Sequence, residues 1–229
     1  MNLCVIPARG GSKRIKKKNI KSFCGKPIIA WSIQQAIKSK CFDKIIVSTD
    51  DNNIAKLAIS FGAEVPFLRP KKLSDDYTGT VSVISHAVKW QIKNDLKPTY
   101  VCCIYATAPF INISELKNGL KILKKSKFKY VFSATNYSYP IQRSFRIKKN
   151  KKIEMFYPKN YKSRSQDLDV AFHDAGQFYW GQTDAWLKNK PIISKSAIPI
   201  LIPRSRVHDI DTHEDWRIAE TMFKQSAKL

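Results

Sequence analysis

A chain of 229 residues and 26.3 kDa has room for one α/β domain with a full core, or one domain carrying an insertion, and little room for two independent domains. Its 43% apolar and 11% aromatic residues place it among globular proteins, and no apolar run approaches the roughly 18 residues of a membrane-spanning helix. Lys and Arg outnumber Asp and Glu by 41 to 18, and the resulting formal net charge of +23 suits polyanionic partners: nucleic acid, anionic membrane or small phosphorylated ligands.

The chain opens on a short buried strand, residues 2 to 7, ended by Pro7 and followed by the cationic loop RGGSKRIKKKN. KPIIAWSIQQAIKS then places Ile29, Ile33, Ala36 and Ile37 on one helical face, with Pro27 suited to a first turn. KIIVST is a second strand. DDNNIAKLAISFG spaces Ile54, Leu57, Ala58 and Phe61 as a helix, opened by Asp or Asn and closed by Gly62. AEVPFL is predicted as a strand, TVSVISHAVKWQI as a helix facing inward with Val81, Ile84, Val88 and Ile92, TYVCCIY as a strand, ISELKNGLKILKK as a helix and KYVFSA as a strand. Helices of this length between strands imply a parallel sheet covered on both faces.

The alternation stops near Asn136. Residues 136–175 hold short extended pieces around the turn-like KKNKK, which reads as an inserted hairpin or arm. QFYW resumes the strands, DAWLKN is a short helix and AIPILIP a strand. In DIDTHEDWRIAETMFK, Thr212 and Asp215 form a capping-box pattern before a helix with Trp216, Ala219 and Phe223 inward. The expected architecture is one doubly wound, mostly parallel α/β domain over residues 1–229, with 136–170 as its arm. The five cysteines are odd in number, fit no zinc spacing and sit among Val, Ile and Phe, so buried free thiols and a cytoplasmic protein are expected.

In open α/β sheets ligands bind beyond the carboxyl ends of the strands, and the loop after the first strand is a favoured place. Here Gly10 and Gly11 allow conformations that turn successive amides inward, Ser12 adds a hydroxyl, and Arg9, Lys13 and Lys18 bring positive charge. Together they suit a triphosphate. The loop is neither GxxxxGK[ST] nor GxGxxG. Elsewhere most lysines are spread over polar helix faces, where solvation accounts for them.

IPARGGSKRIKKKN resembles the signature of the CMP-sialic acid synthetase family, the acylneuraminate cytidylyltransferases. FDKIIVSTDD, FLRP with LSDD, RSQDL and DIDTHEDW follow in the family's order, and YATAPF, YPIQR and HDAGQFYWG look like the branch acting on pseudaminic acid. The resemblance implies transfer of CMP from CTP to the anomeric hydroxyl of a nine-carbon sugar acid, with a divalent metal, Mg²⁺ or else Mn²⁺. It assigns the phosphates to Arg9, Lys13 and Lys18, catalysis to Arg9 and above all Lys18, and nucleotide binding also to Ala8, Gly10, Gly11, Ser12, Asn19, Arg69 and Thr80.

For the metal it points to Asp209 and Asp211, two residues apart and hard oxygen donors, although Asp211 also stands where a helix-start residue would. For the sugar acid, Gln142, Arg143, Arg164 and Gln166 supply planar donors that match a carboxylate. Tyr105, Thr107, His173, Asp174, Gln177 and Tyr179 occupy the remaining sugar-side positions. HDAG in place of a P-N-G run, and Tyr105 in place of a glutamine, favour a modified relative of sialic acid. Family precedent also implies a homodimer that exchanges the arm. Legionaminic, sialic and KDO substrates are the alternatives within the class. A basic nucleic-acid-binding protein and an inactive scaffold lie outside it, and the chain shows no RNP-like or helix-turn-helix pattern, so neither nucleic acid nor membrane is the expected partner.

Overall fold

The computed structural model describes residues 1–226, so the last three residues of the expected 1–229 domain lie outside the described residues. In chain order the first half comprises β1 (Asn2–Pro7), β2 (Ser22–Phe23), β3 (Lys26–Pro27), α1 (Ile28–Ser39), β4 (Lys44–Ser48), α2 (Asn52–Ser60), α3 (Thr80–Lys93), β5 (Tyr100–Ile104) and α4 (Ile113–Lys125). The second half comprises β6 (Tyr130–Asn136), β7 (Phe145–Ile147), β8 (Ile153–Met155), β9 (Phe172–Gln182), α5 (Thr183–Leu187), β10 (Ala197–Leu201) and α6 (His213–Ser226).

Six strands form one sheet in the order β10-β6-β9-β5-β1-β4. Strand periodicity divides its side chains between two layers. Cys4 and Ile6 of β1 join Ile29 and Ile33 of α1, Ile54 of α2, Leu116 and Leu120 of α4, and Trp180 of β9 on one face. Leu3 and Val5 join Ile84 and Val88 of α3 and Trp186 of α5 on the other. A third cluster, around Ile15, Phe23, Ile28 and Trp216, seats α6 beneath the cationic loop. Trp216 and Phe223 meet the Phe23 ring edge-on at 5.5 and 5.4 Å.

The sheet is parallel except at β9, which runs antiparallel to both β5 and β6. Parallel neighbours need a crossover that carries the chain back across a face. Between β6 and β9 there are only three single-turn 3-10 helices and the β7–β8 hairpin, turned at KKNKK with Lys151 in the left-handed region (φ 62°), so the chain re-enters the sheet from the end it left. The arm is therefore a hairpin, as its composition predicts. AEVPFL is not a strand: Glu64 and Leu68 make isolated bridges to Ile46 and Thr49, and Pro66 between them has no N–H to continue a ladder. Ile37, expected inside, is 42% exposed. Four cysteines are buried, and Cys24 is half-buried. No helix among the described residues is long and apolar enough to cross a membrane.

Candidate active site

The loop after β1 is shaped by short-range constraints. Ala8 is fully buried and donates its amide to Ser48 O at 2.9 Å, so it fixes where the loop starts and does not line the cleft. The Gly10 amide is taken by Asp50 Oδ1 at 3.0 Å. Neither Gly10 nor Gly11 lies in the left-handed region, which corrects the expectation of amides freed by unusual backbone angles. Gly10 is required by crowding instead: a β-carbon there would come 2.8 Å from Asp51 Oδ2 and 2.9 Å from Asp51 Cβ. Gly11 would meet nothing within 4 Å. Lys17 adopts φ 53°, a short helical turn over Lys18–Ile20 follows, and the buried Asn19 closes the loop by donating Nδ2–H to Arg9 O at 2.9 Å.

This loop borders a cleft of about 320 Å³ beyond the carboxyl ends of β1 and β5. Of the residues expected from the sequence, Arg9, Ser12, Lys13, Lys18, Asn19, Arg69, Thr80, Tyr105, Thr107 and Asp211 line it. Sequence reading omitted Arg14, Asp75, Asp76 and Thr78, which line it too. The LSDD motif was the available signal for the two aspartates. Arg14 was hidden among its cationic neighbours.

The cations are held in place by specific partners. Lys18 Nζ donates to Ile210 O at 2.6 Å and reaches Asp211 Oδ1 at 3.3 Å, while Arg14 Nη1 lies 2.9 Å from Asp211 Oδ2. Arg9 Nη1 pairs with Asp76 at 2.8 Å, and Lys13 contacts the other oxygen of the same carboxylate. Arg69 is only 5% exposed: its Nε donates to Ser74 Oγ at 3.2 Å, and Nη2 faces Asp50 Oδ1 at 3.8 Å and makes no hydrogen bond. Burial pushes the Arg69 guanidinium below its ordinary pKa, with Asp50 opposing the shift. The unused Nη2 is enclosed by protein on the Asp50 side, and what Arg69 offers the cleft it lines is a buried positive charge that suits an anionic ligand.

The helix start beside Asp211 is capped by other groups. Asp215 N donates to Thr212 Oγ1 at 3.1 Å, and Asp215 Oδ2 accepts from the amide of Thr212 at 2.7 Å, completing the predicted capping box. The Asp211 carboxylate takes no part in that cap and lines the cleft with Lys18 on one oxygen and Arg14 on the other. Burial, and then the charge of Asp211, raise the pKa of Asp209. Among the described residues no group of three or more His, Cys, Asp or Glu side chains could hold a metal. Asp211 lines the cleft and Asp209 does not, and the carboxylate oxygens of the two are of the hard donor type that suits a divalent cation.

The sugar-side residues fall into three places. Tyr105 and Thr107 stand in the cleft wall, and Tyr105 Oη shares a hydrogen bond with Thr80 Oγ1 at 2.9 Å. Behind them Tyr179, with its ring 5.2 Å from that of Tyr105, donates its hydroxyl to Asp174 Oδ2 at 2.7 Å. Burial raises the pKa of both phenols, which stay protonated. Gln177 is buried and donates Nε2–H to Arg206 O at 2.6 Å, and His173 packs on Tyr137 with 4.7 Å between ring centroids. None of these four reaches the cleft surface.

Gln142, Arg143, Arg164 and Gln166 stand on the arm, apart from the cleft of their own chain. Gln142 donates to Asp169 O at 3.0 Å, Arg143 to Ser163 O, and Arg164 pairs with Asp167 at 2.7 Å.

The fold has counterparts among solved structures, and the sequence has curated relatives. A solved CMP:2-keto-3-deoxy-manno-octonic acid synthetase complexed with CTP superposes with a TM-score of 0.70 over 98% of this chain and 99% of that one, at 14% identity. The chain matches the Cytidylyltransferase family over residues 3–178. It is 45% identical to the pseudaminic acid cytidylyltransferase of Campylobacter jejuni subsp. jejuni serotype O:23/36 (strain 81-176), covering 97% of this chain and 96% of that protein. It is 31% identical to the CMP-N,N'-diacetyllegionaminic acid synthase of Legionella pneumophila subsp. pneumophila (strain Philadelphia 1), covering 97% and 96%. A cation-lined cleft at the carboxyl edge of a doubly wound sheet, in a chain with these relatives, defines a nucleotidyltransferase. Within that class the chain belongs to the cytidylyltransferase family.

Proposed function

We propose that this enzyme transfers CMP from CTP to the anomeric hydroxyl of a nonulosonic acid, pseudaminic acid before its legionaminic and sialic relatives, and releases pyrophosphate. The observation that carries the reading is the convergence of Arg9, Lys13, Lys18 and Arg69 on one cleft, in a chain 45% identical to a pseudaminic acid cytidylyltransferase. The greater distance from the legionaminic synthase, at 31%, sets the order of substrates.

In this mechanism the sugar hydroxyl oxygen bonds to the α-phosphorus as the bond from that phosphorus to the oxygen bridging to the β-phosphate breaks; pyrophosphate leaves with the electron pair and the hydroxyl proton is released to solvent. Arg9 and Lys13 hold the tail of the triphosphate. Lys18, anchored by Ile210 O, keeps its ammonium where charge builds on the reacting phosphate and needs no reorganisation when the barrier is crossed. Arg69, in the wall of the cleft, adds a buried positive charge facing the nucleotide. Tyr105 and Thr107 meet the sugar, with Asp174 and Tyr179 bracing Tyr105. Asp209 and Asp211 would hold Mg²⁺, or Mn²⁺ in its place, which supplies charge neutralisation on the phosphates.

Incubation with CTP, Mg²⁺ and a panel of nonulosonic acids is expected to release pyrophosphate fastest with pseudaminic acid. No release with any member of the panel would reject the reading, and faster release with a legionaminic acid would change the substrate. We place the reaction in the cytoplasm.

The arm enters the proposal as a dimer contact. Ile147 and Ile153 on the hairpin are 71% and 67% exposed, and Tyr161 farther along the arm is 72% exposed. Arm residues Gln142, Arg143, Arg164 and Gln166 then reach the sugar site of a second copy. Light scattering at micromolar concentration is expected to give twice the 26.3 kDa chain mass. A monomer mass would remove the arm from the sugar site.

A further inference from the structure

Between Ser74 and Gly79 the chain turns back toward the cationic loop. Asp75 stiffens this turn: its Oδ1 accepts from the amides of Tyr77 at 3.0 Å and Thr78 at 2.7 Å, and from the Thr78 hydroxyl at 2.7 Å. Asp76 is thereby presented at a defined place, where its two oxygens contact Arg9 and Lys13. Arg9 Nη1 also donates to Asp75 O at 2.5 Å. The hydrogen bond from Lys13, assisted by the charge of Arg9, holds the Asp76 carboxyl below the usual carboxylate range. One carboxylate thus bridges two mutually repelling cations in the way that two oxygens of a phosphate would bridge them. These are the cations that the reading above gives to the triphosphate. A phosphate approaching the donors that Asp76 occupies competes with it for them, and two anions in contact repel each other.

We propose that Asp76 is a built-in substitute for the nucleotide's phosphate, and that nucleotide entry exchanges its carboxylate for phosphate oxygens on Arg9 and Lys13. The turn over residues 74–79 moves with that exchange. The consequence is selection by reach. A lone phosphate makes no more contacts with Arg9 and Lys13 than Asp76 already does, whereas a triphosphate also engages Lys18 and Arg69 and displaces the carboxylate. The identity of the triphosphate rests on the proposed function, but the exchange does not.

The test is calorimetric titration of the whole chain and of its Asp76→Asn variant with inorganic tripolyphosphate, CTP and cytidine. Surface ion pairs of this kind are individually weak, so removing both is expected to tighten tripolyphosphate and CTP binding by roughly three- to tenfold. Cytidine, which carries no phosphate, is expected to bind the two proteins equally, and their thermal midpoints to agree. Unchanged tripolyphosphate affinity overturns the proposal, because the carboxylate then competes with nothing. Weaker binding overturns it too, by making Asp76 a brace that holds Arg9 and Lys13 ready. A cytidine affinity that shifts as much as that of CTP overturns it by showing a general change in the cleft. Failure of the functional reading looks different: tripolyphosphate binding tightens in the variant, while neither protein prefers CTP to other nucleoside triphosphates.

Discussion

Replacement of Lys18 by alanine is expected to lower turnover by about 10²–10³-fold, the usual effect of deleting one preorganised donor to a developing negative charge. The side chain is 22% exposed, and its ammonium is fixed by Ile210 O at 2.6 Å and by Asp211 at 3.3 Å, so its charge is already in position before substrate arrives. The same contacts make the fold tolerant of its loss, since one hydrogen bond to a carbonyl near the surface contributes only about 1 kcal/mol. Because Arg9, Lys13 and Arg69 remain to hold the nucleotide, the loss should fall on kcat more than on CTP affinity. The measurement is pyrophosphate release against CTP concentration, with thermal melting as the control on folding. Turnover within threefold of the parent would exclude Lys18 from the chemical step.

A second large effect is expected at Trp180. Its ring is fully buried in β9, stacks on Phe42 at 5.0 Å with a 16° interplanar angle, and donates Nε1–H to Leu116 O at 3.0 Å. The fit is tight enough that Gly119, in the middle of α4, cannot carry a side chain: a β-carbon there would fall 2.7 Å from Trp180 Cδ1. Trp180→Ala should cost about 3–5 kcal/mol, through lost burial and the cavity left between β9 and α4. Against a total stability of roughly 5–15 kcal/mol, that brings the protein close to unfolding at ordinary temperature. Trp180→Phe keeps most of the stacking and gives up the hydrogen bond, and should lose less than half as much. Urea midpoints measure both. A loss below 1 kcal/mol for the alanine variant would contradict the packing argument.

The opening strand, the helices α1 to α4 and the capping box of α6 were legible because each is set by local periodicity and local hydrogen bonds. Thr212 with Asp215, and Asp51 accepting from the amides of Asn53 and Ile54, are interactions between near neighbours in the chain. AEVPFL misled because hydrophobic character does not report whether amides are available to pair, and Pro66 removes one. The antiparallel insertion of β9 left no local mark in QFYW, since strand direction follows from the route by which the chain returns to the sheet.

The cleft divides along the same line. Arg9, Lys13, Lys18 and Asn19 lie within eleven residues of one another, so their convergence in one loop could be read from the sequence, as could the hairpin character of the arm. The glycine pair could be read as necessary, but the reason could not: Gly10 is demanded by Asp51, 41 residues away. Only the tertiary structure joined Lys18 to Asp211 across 193 positions and set Asp76 on Arg9 and Lys13. It also put Asp174, Gln177 and Tyr179 behind the cleft wall. Short-range order follows from spacing and steric preference, which one segment carries alone, whereas a charge finds its partner only where packing of the whole core brings distant segments together.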